Sequence, residues 1–269
     1  MTTKLQFQGF IDTPNLWEGD AVFGMTQMEL QKIKLNDLKN DFNPKLRLGK
    51  LVENFVFEVL NQSSQTDVIA ENIQVRKEKI SIGEIDCILK LLNEIIHLEI
   101  VYKFYLYNEH IHGTNLHKWI GPNKKDDLIQ KLTKLKNKQL PILFREETKK
   151  AIEDLNIKFS RKNILQMVLF KAQLFVPKYK LTDVFPDINN DCIKGFYINS
   201  NELETIKLNE FYIPSKKDWL IEPQIDAEWL NYNEFNIKVK TFVNEQRSPM
   251  CWLKNENGIM QKFFVVWWK

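Results

Sequence analysis

The stretch 83–107, GEIDCILKLLNEIIHLEIVYKFYLY, decides the fold. It is rich in Ile, Val, Leu and Tyr, and it splits into two strand-like runs, about 80–90 and 95–107. The four residues 91–94, LLNE, form the turn, and runs this close pair antiparallel as a hairpin. Side chains alternate faces along a strand. In the second run His97, Glu99, Val101, Lys103 and Tyr105 therefore share one face. Leu98, Ile100, Tyr102, Phe104 and Leu106 share the other, which reads as the core face. In the first run Glu84 and Asp86 share a face.

Pairing of these strands brings up to three carboxylates and a lysine onto one patch. Carboxylates at that density repel each other and shift their pKa values unless a cation neutralises them. Oxygen ligands suit Mg²⁺ or Mn²⁺. Such an ion activates water and stabilises charge developing on a phosphate, with a lysine beside it to orient the water or balance charge. The competing reading is plainer: cross-strand salt bridges on a solvated sheet face.

Outward from the hairpin, residues 46–60 (LRLGKLVENFVFEVL) predict a helix, with Leu51, Phe55 and Val59 as its apolar stripe and Glu53 to one side. Residues 1–40 read as short helices joined by turns. Ile73 to Val75 reads as a short extended piece. After a polar, basic loop a helix is expected at about 126–138, and another at 144–165. Residues 165–175 are apolar, and periodicity alone leaves strand and buried helix open. From about 195 the pattern is short strands, closing on KFFVVWW. A composition shift near Pro186 predicts a domain over 1–185 and a strand-rich extension over 186–269, packed on it.

The quoted segments resemble a bacterial family, a domain of unknown function, placed in the PD-(D/E)XK nuclease superfamily. The resemblance rests on RLGKLVE, GEID, HLEIVYKFYL and KWIGPNKKDDLIQKLTKLKNKQLP, together covering roughly residues 46–141. It implies an α/β fold with a restriction-endonuclease-like core, a mixed sheet flanked by helices. It implies Asp86, Glu99 and Lys103 as catalytic residues, with Asp86, Glu99 and the helix residue Glu53 as ligands of Mg²⁺ or Mn²⁺. It implies a metal-dependent phosphodiesterase acting on nucleic acid, or a module that has kept the fold for binding nucleic acid or protein and lost turnover. One departure stands out. Three residues, Ile100, Val101 and Tyr102, separate Glu99 from Lys103, where the superfamily has one. Val101 takes the usual lysine position, and Lys103 stands about 13 Å along the strand from Glu99 instead of about 6.6 Å.

Seven lysines fall between residues 118 and 138. Lys118, Lys124, Lys125 and Lys131, beside Trp119, form a candidate contact for a phosphate backbone; a solvated helix face is the equal alternative. The histidines His97, His110, His112 and His117 lack a zinc-site pattern and read as loop or surface residues, His97 excepted because it shares the face of Glu99. Gln139 is either a polar site residue on the helix after the acid-lysine strand or a cap before Pro141.

The totals limit the alternatives. The chain has 269 residues, 43% of them hydrophobic, enough for a sizeable core. A net charge of +3 and a pI near 8.5 permit a nucleic-acid partner without requiring one. Cys87, Cys192 and Cys251 are too scattered for a zinc site and read as buried thiols. The N-terminus lacks a signal-peptide core and no apolar run reaches spanning length, which predicts a cytoplasmic protein with no membrane partner.

Overall fold

The computed structural model describes residues 3–31, 38, 42–43, 45–152 and 163–269. The chain is mixed α/β, with a large mixed sheet flanked by helices. In chain order its elements are α1 (Thr3–Asp12), β1 (Thr26–Gln27), α2 (Leu48–Gln62), β2 (Thr66–Lys77), β3 (Ile80–Leu91), β4 (Glu94–Tyr107) and β5 (Trp119–Ile120). They continue with α3 (Leu128–Lys134), α4 (Glu146–Ile152), β6 (Ile164–Pro177), β7 (Ile193–Asn199), β8 (Glu210–Tyr212), α5 (Tyr232–Asn244), β9 (Met250–Lys254) and β10 (Met260–Val266). Among the described residues no helix is long and apolar enough to cross a membrane.

The chain divides into two compact units, each discontinuous in sequence. One comprises Asn15–Tyr102 and Gln130–Lys171, the other Met1–Pro14, Lys103–Ile129 and Ala172–Lys269. The strands β4 and β6 contribute residues to both.

In the first unit β2, β3 and β4 run antiparallel, followed by β6, with β1 parallel to β6. The expected hairpin is there. A two-residue turn, Leu92-Asn93, joins β3 to β4, with Leu92 in the left-handed region at φ 55°. The register pairs Cys87 with Leu98 and Ile88 with His97. The helix expected at 46–60 forms as α2, and Leu51, Phe55 and Val59 are all buried as the stripe requires. Val75, Ile85, Ile88, Ile142, Leu143, Ile152 and Ile164 form an apolar cluster in this unit.

In the second unit β6-β7-β10 are parallel and β10-β9-β8 antiparallel, and β5 pairs with β4. Its core gathers Phe196, Phe211, Phe235, Phe263 and Val265 with their neighbours. The rings of Phe211 and Phe235 stack at 4.2 Å.

Several expectations change. The extended piece at 73–75 is the middle of a 12-residue strand. The helix expected at 126–138 is α3 continued by a π-helical turn, Leu135–Gln139, and a 3-10 turn, Leu140–Phe144. Of the helix expected over 144–165, α4 forms the start, residues 153–162 lie outside the described residues, and Ile164 begins a strand. That strand resolves the ambiguity at 165–175. The helix α5 went unread among the strands that follow 195, although Asn231 and Glu234 form a capping box at its start. The largest correction concerns β4. Its polar face is not solvated: His97 and Glu99 are 0% exposed, and Val101 and Tyr105 are buried too. Alternation says which side chains share a face; it does not say that only one face is covered.

Candidate functional site

The acidic centre lies within the first unit. The paired ladder of β3 and β4 stops at Cys87–Leu98, one step short of Asp86 and Glu99. There the Asp86 carboxylate takes over from the backbone, accepting the Ile100 N–H at Oδ2, 2.8 Å. The same register sets Asp86 opposite Glu99, with side chains on one face.

Burial is the main cause that pushes the Asp86 carboxyl up, to about 7 from 3.8. The charge of Glu99 adds to the rise and that of Glu53 adds less, while the Ile100 hydrogen bond and the Lys131 ammonium oppose it. The charges of Glu99 and Glu53 thus both bear on Asp86. Glu84, on the same strand face as Asp86, stands apart: its carboxylate accepts from the Gln74 amide at the surface.

Glu99 is held at both oxygens. His97 Nε2 lies 3.1 Å from Oε1, and Gln139 Nε2 donates to Oε2 at 2.5 Å. Gln166 positions the histidine in turn, its amide donating to Leu140 O at 2.5 Å and to His97 Nδ1 at 2.9 Å. With that donor on Nδ1, the ring proton sits on Nε2 and points at Glu99. Lys131 Nζ donates to Gln139 Oε1 at 2.8 Å. Glu53 sits on α2, where Lys50 reaches its Oε2 at 2.7 Å and also donates to Asn72 Oδ1.

Among the described residues no cluster of three or more His, Cys, Asp or Glu side chains forms a ready metal cage. The donors still fit a hard divalent cation. Asp86 and Glu99 offer oxygens only, Glu99 keeps unused lone pairs beside its single donor on each oxygen, and Mg²⁺ is commonly held by one or two protein carboxylates with water completing its shell.

The other expected residues have different settings. Lys103 belongs to the second unit, where its ammonium pairs with Asp126 at 2.6 Å. Lys118 lies over the Tyr107 ring at 5.8 Å and Lys124 over Trp268 at 4.5 Å; Lys125 is exposed. Trp119 is fully buried against Tyr107 and Phe185, so it does not meet a phosphate backbone as expected. His117 accepts from the Thr114 N–H at 3.2 Å in a capping contact. Gln139 makes no side-chain cap and instead links Lys131 to Glu99, while Gln166 carries no local signal in the sequence: only the fold brings β6 to His97.

A family model matches residues 10–266, and its description is a domain of unknown function (DUF1853). No curated protein and no solved structure matches the chain.

Proposed function

The chain belongs to the DUF1853 family, and from that premise we propose that it is a divalent-metal-dependent phosphodiesterase acting on nucleic acid, with a PD-(D/E)XK nuclease-type core. The observation that carries this reading is the meeting of Asp86 and Glu99 across the end of the β3-β4 ladder, inside the field of Glu53. A half-buried carboxyl facing a buried carboxylate, with a third charge near it, is costly to ionise without a cation. A bound Mg²⁺ or Mn²⁺ supplies charge neutralisation at the phosphate and a more acidic water.

The chain's own residues do the rest. Asp86 and Glu99 provide the anionic oxygens. His97 and Gln139 fix the orientation of Glu99, as outer partners of metal-holding carboxylates do. Lys50 restrains Glu53 on its helix.

The test is cleavage of labelled single- and double-stranded DNA and RNA with Mg²⁺ or Mn²⁺, beside calorimetric titration of the metal. Asp86→Asn and Glu99→Gln are expected to lower cleavage by about 100-fold or more. Equal cleavage by wild type and Asp86→Asn would remove the case for an enzyme. A second reading, a binding module of the same fold without turnover, is favoured by one observation: Val101, buried, fills the position that carries lysine in the superfamily pattern, and Lys103 is paired with Asp126. Metal binding without cleavage of any substrate would establish it.

A further inference from the structure

The acidic centre as described has three carboxylates. Lys50 is matched to Glu53, and the donors on Glu99 are an imidazole and an amide. One further cation reaches it, through a side chain. Lys131 Nζ donates to Gln139 Oε1, and Gln139 Nε2 donates to Glu99 Oε2. We propose that Lys131 is the positioning cation of this site, locking the Gln139 amide so that its N–H points at Glu99 and setting the positive charge against the acidic pair. The inference rests on the phosphodiesterase reading above and assigns it a residue.

Two physical features support the relay. The first is polarity. A primary amide has one accepting and one donating end. With the ammonium on the oxygen, the nitrogen must face the carboxylate. A flip would set N–H against ammonium and carbonyl against carboxylate, two repulsive contacts in exchange for two charge-assisted ones. Without the ammonium, nothing described on the oxygen side holds the amide in that sense.

The second is helix phase. Lys131 lies in α3 and Gln139 ends the π-helical turn. Eight α-helical steps of about 100° would leave Gln139 about 80° around the helix from Lys131. The wider π turn removes most of that offset and lets Lys131 reach Gln139, whose amide reaches Glu99 on β4. Single π turns of this kind recur at functional sites. Pro141, inside the 3-10 turn that follows, cannot supply an N–H to an α-helical ladder, which accounts for the change of pitch here.

A simple tether between two turns would use the same hydrogen bond, so the test separates charge from scaffolding. The full chain is prepared as wild type, Lys131→Met, Lys131→Arg and Lys149→Met, the last removing an exposed charge on α4 as a control. Mn²⁺ binding is measured by calorimetry, cleavage of the best nucleic-acid substrate gives kcat and KM, and Tm is recorded. Lys131→Met is expected to tighten Mn²⁺ by about threefold or more, because a repelling charge is gone. Its kcat is expected to fall about tenfold or more, with KM within about twofold. Lys131→Arg should restore both, and Lys149→Met should match wild type. Weaker Mn²⁺ binding with a lowered Tm marks a tether and overturns the proposal, as do unchanged affinity and kcat. If the wild type binds Mn²⁺ but cleaves nothing, the phosphodiesterase reading fails and the affinity change alone decides for or against Lys131. If it binds no Mn²⁺, both fall.

Discussion

Glu99 shows how far a single residue's setting departs from its position in the sequence. Its face of β4 reads as solvated, and on that reading substitutions at Asp86, Glu99 and Lys103 leave folding intact. The buried carboxylate contradicts this for Glu99, since its removal strands the donors of His97 and Gln139. We predict that Glu99→Ala lowers unfolding stability by about 2–4 kcal/mol, from unsatisfied donors plus a cavity. Urea denaturation measures it, and a change below about 0.5 kcal/mol would show that the network is dispensable.

Asp86 sets a pH dependence whose sign follows from linkage. Its carboxyl is raised to about 7 in the folded chain from 3.8. The folded state therefore holds the proton more tightly than the unfolded state between these values. The contribution of Asp86 to stability is greatest below about 4, falls as pH rises toward 7, and levels off above it. Urea midpoints at pH 5 and pH 8 should differ in that direction for wild type, and the difference should shrink in Asp86→Asn. Mn²⁺ should bind more tightly as pH rises through about 7, where half of the Asp86 carboxyls still hold the proton that the ion displaces, and level off above it. A midpoint that rises with pH in wild type alone would place the raised carboxyl elsewhere.

At the scale of elements, what packs against each strand separates two glycines that look alike in the sequence. A Cβ on Gly195 would stand 2.0 Å from the backbone oxygen of Lys262 on the paired strand. A Cβ on Gly83 would stand 2.3 Å from Ile142 Cδ1, the tip of a flexible side chain. Backbone in a ladder cannot move aside without loss of its hydrogen bonds, whereas a side-chain tip can turn. Gly195→Ala should cost about 3 kcal/mol or more and Gly83→Ala about 1 kcal/mol. Thermal unfolding of the two variants checks the order, and equal losses would refute it. The same scale explains why α5 escaped notice: its apolar stripe is short, Phe235 and Val239 being its buried residues, and its lysines resemble those of the surrounding strands. Its capping box was nonetheless written in residues 231–234.

The two units set the whole-molecule behaviour through their order in the chain. The second unit draws on the start, the middle and the end of the sequence, and its cluster around Phe196, Phe211, Phe235 and Phe263 comes entirely from residues after 195. A fragment of residues 1–185 keeps Lys103–Ile129 and Phe185 but loses β7 to β10. We predict that this fragment shows no cooperative unfolding of that unit and is cut rapidly by protease between residues 103 and 129. Protection of that stretch in the fragment, by limited proteolysis, would show that the part before 186 folds by itself.

What the sequence determined was local. A turn within residues 91–94, the strands on either side and the apolar stripe of α2 were legible locally, the strands and the stripe from periods of two and 3.6 residues that need no partner to be read. The free, buried cysteines belong with them. That Asp86 and Glu99 face each other was conditional in the sequence on the two runs pairing, and the two-residue turn of the structure set the register that places them opposite. The tertiary structure alone decided what covers that face. It buried both sides of β4, paired Lys103 with Asp126, and brought Gln166 from β6 onto His97 and Gln139 from a π turn onto Glu99. Those contacts join residues far apart in the chain, whose meeting depends on strand order and helix pitch. Alternation within one strand carries no information about either.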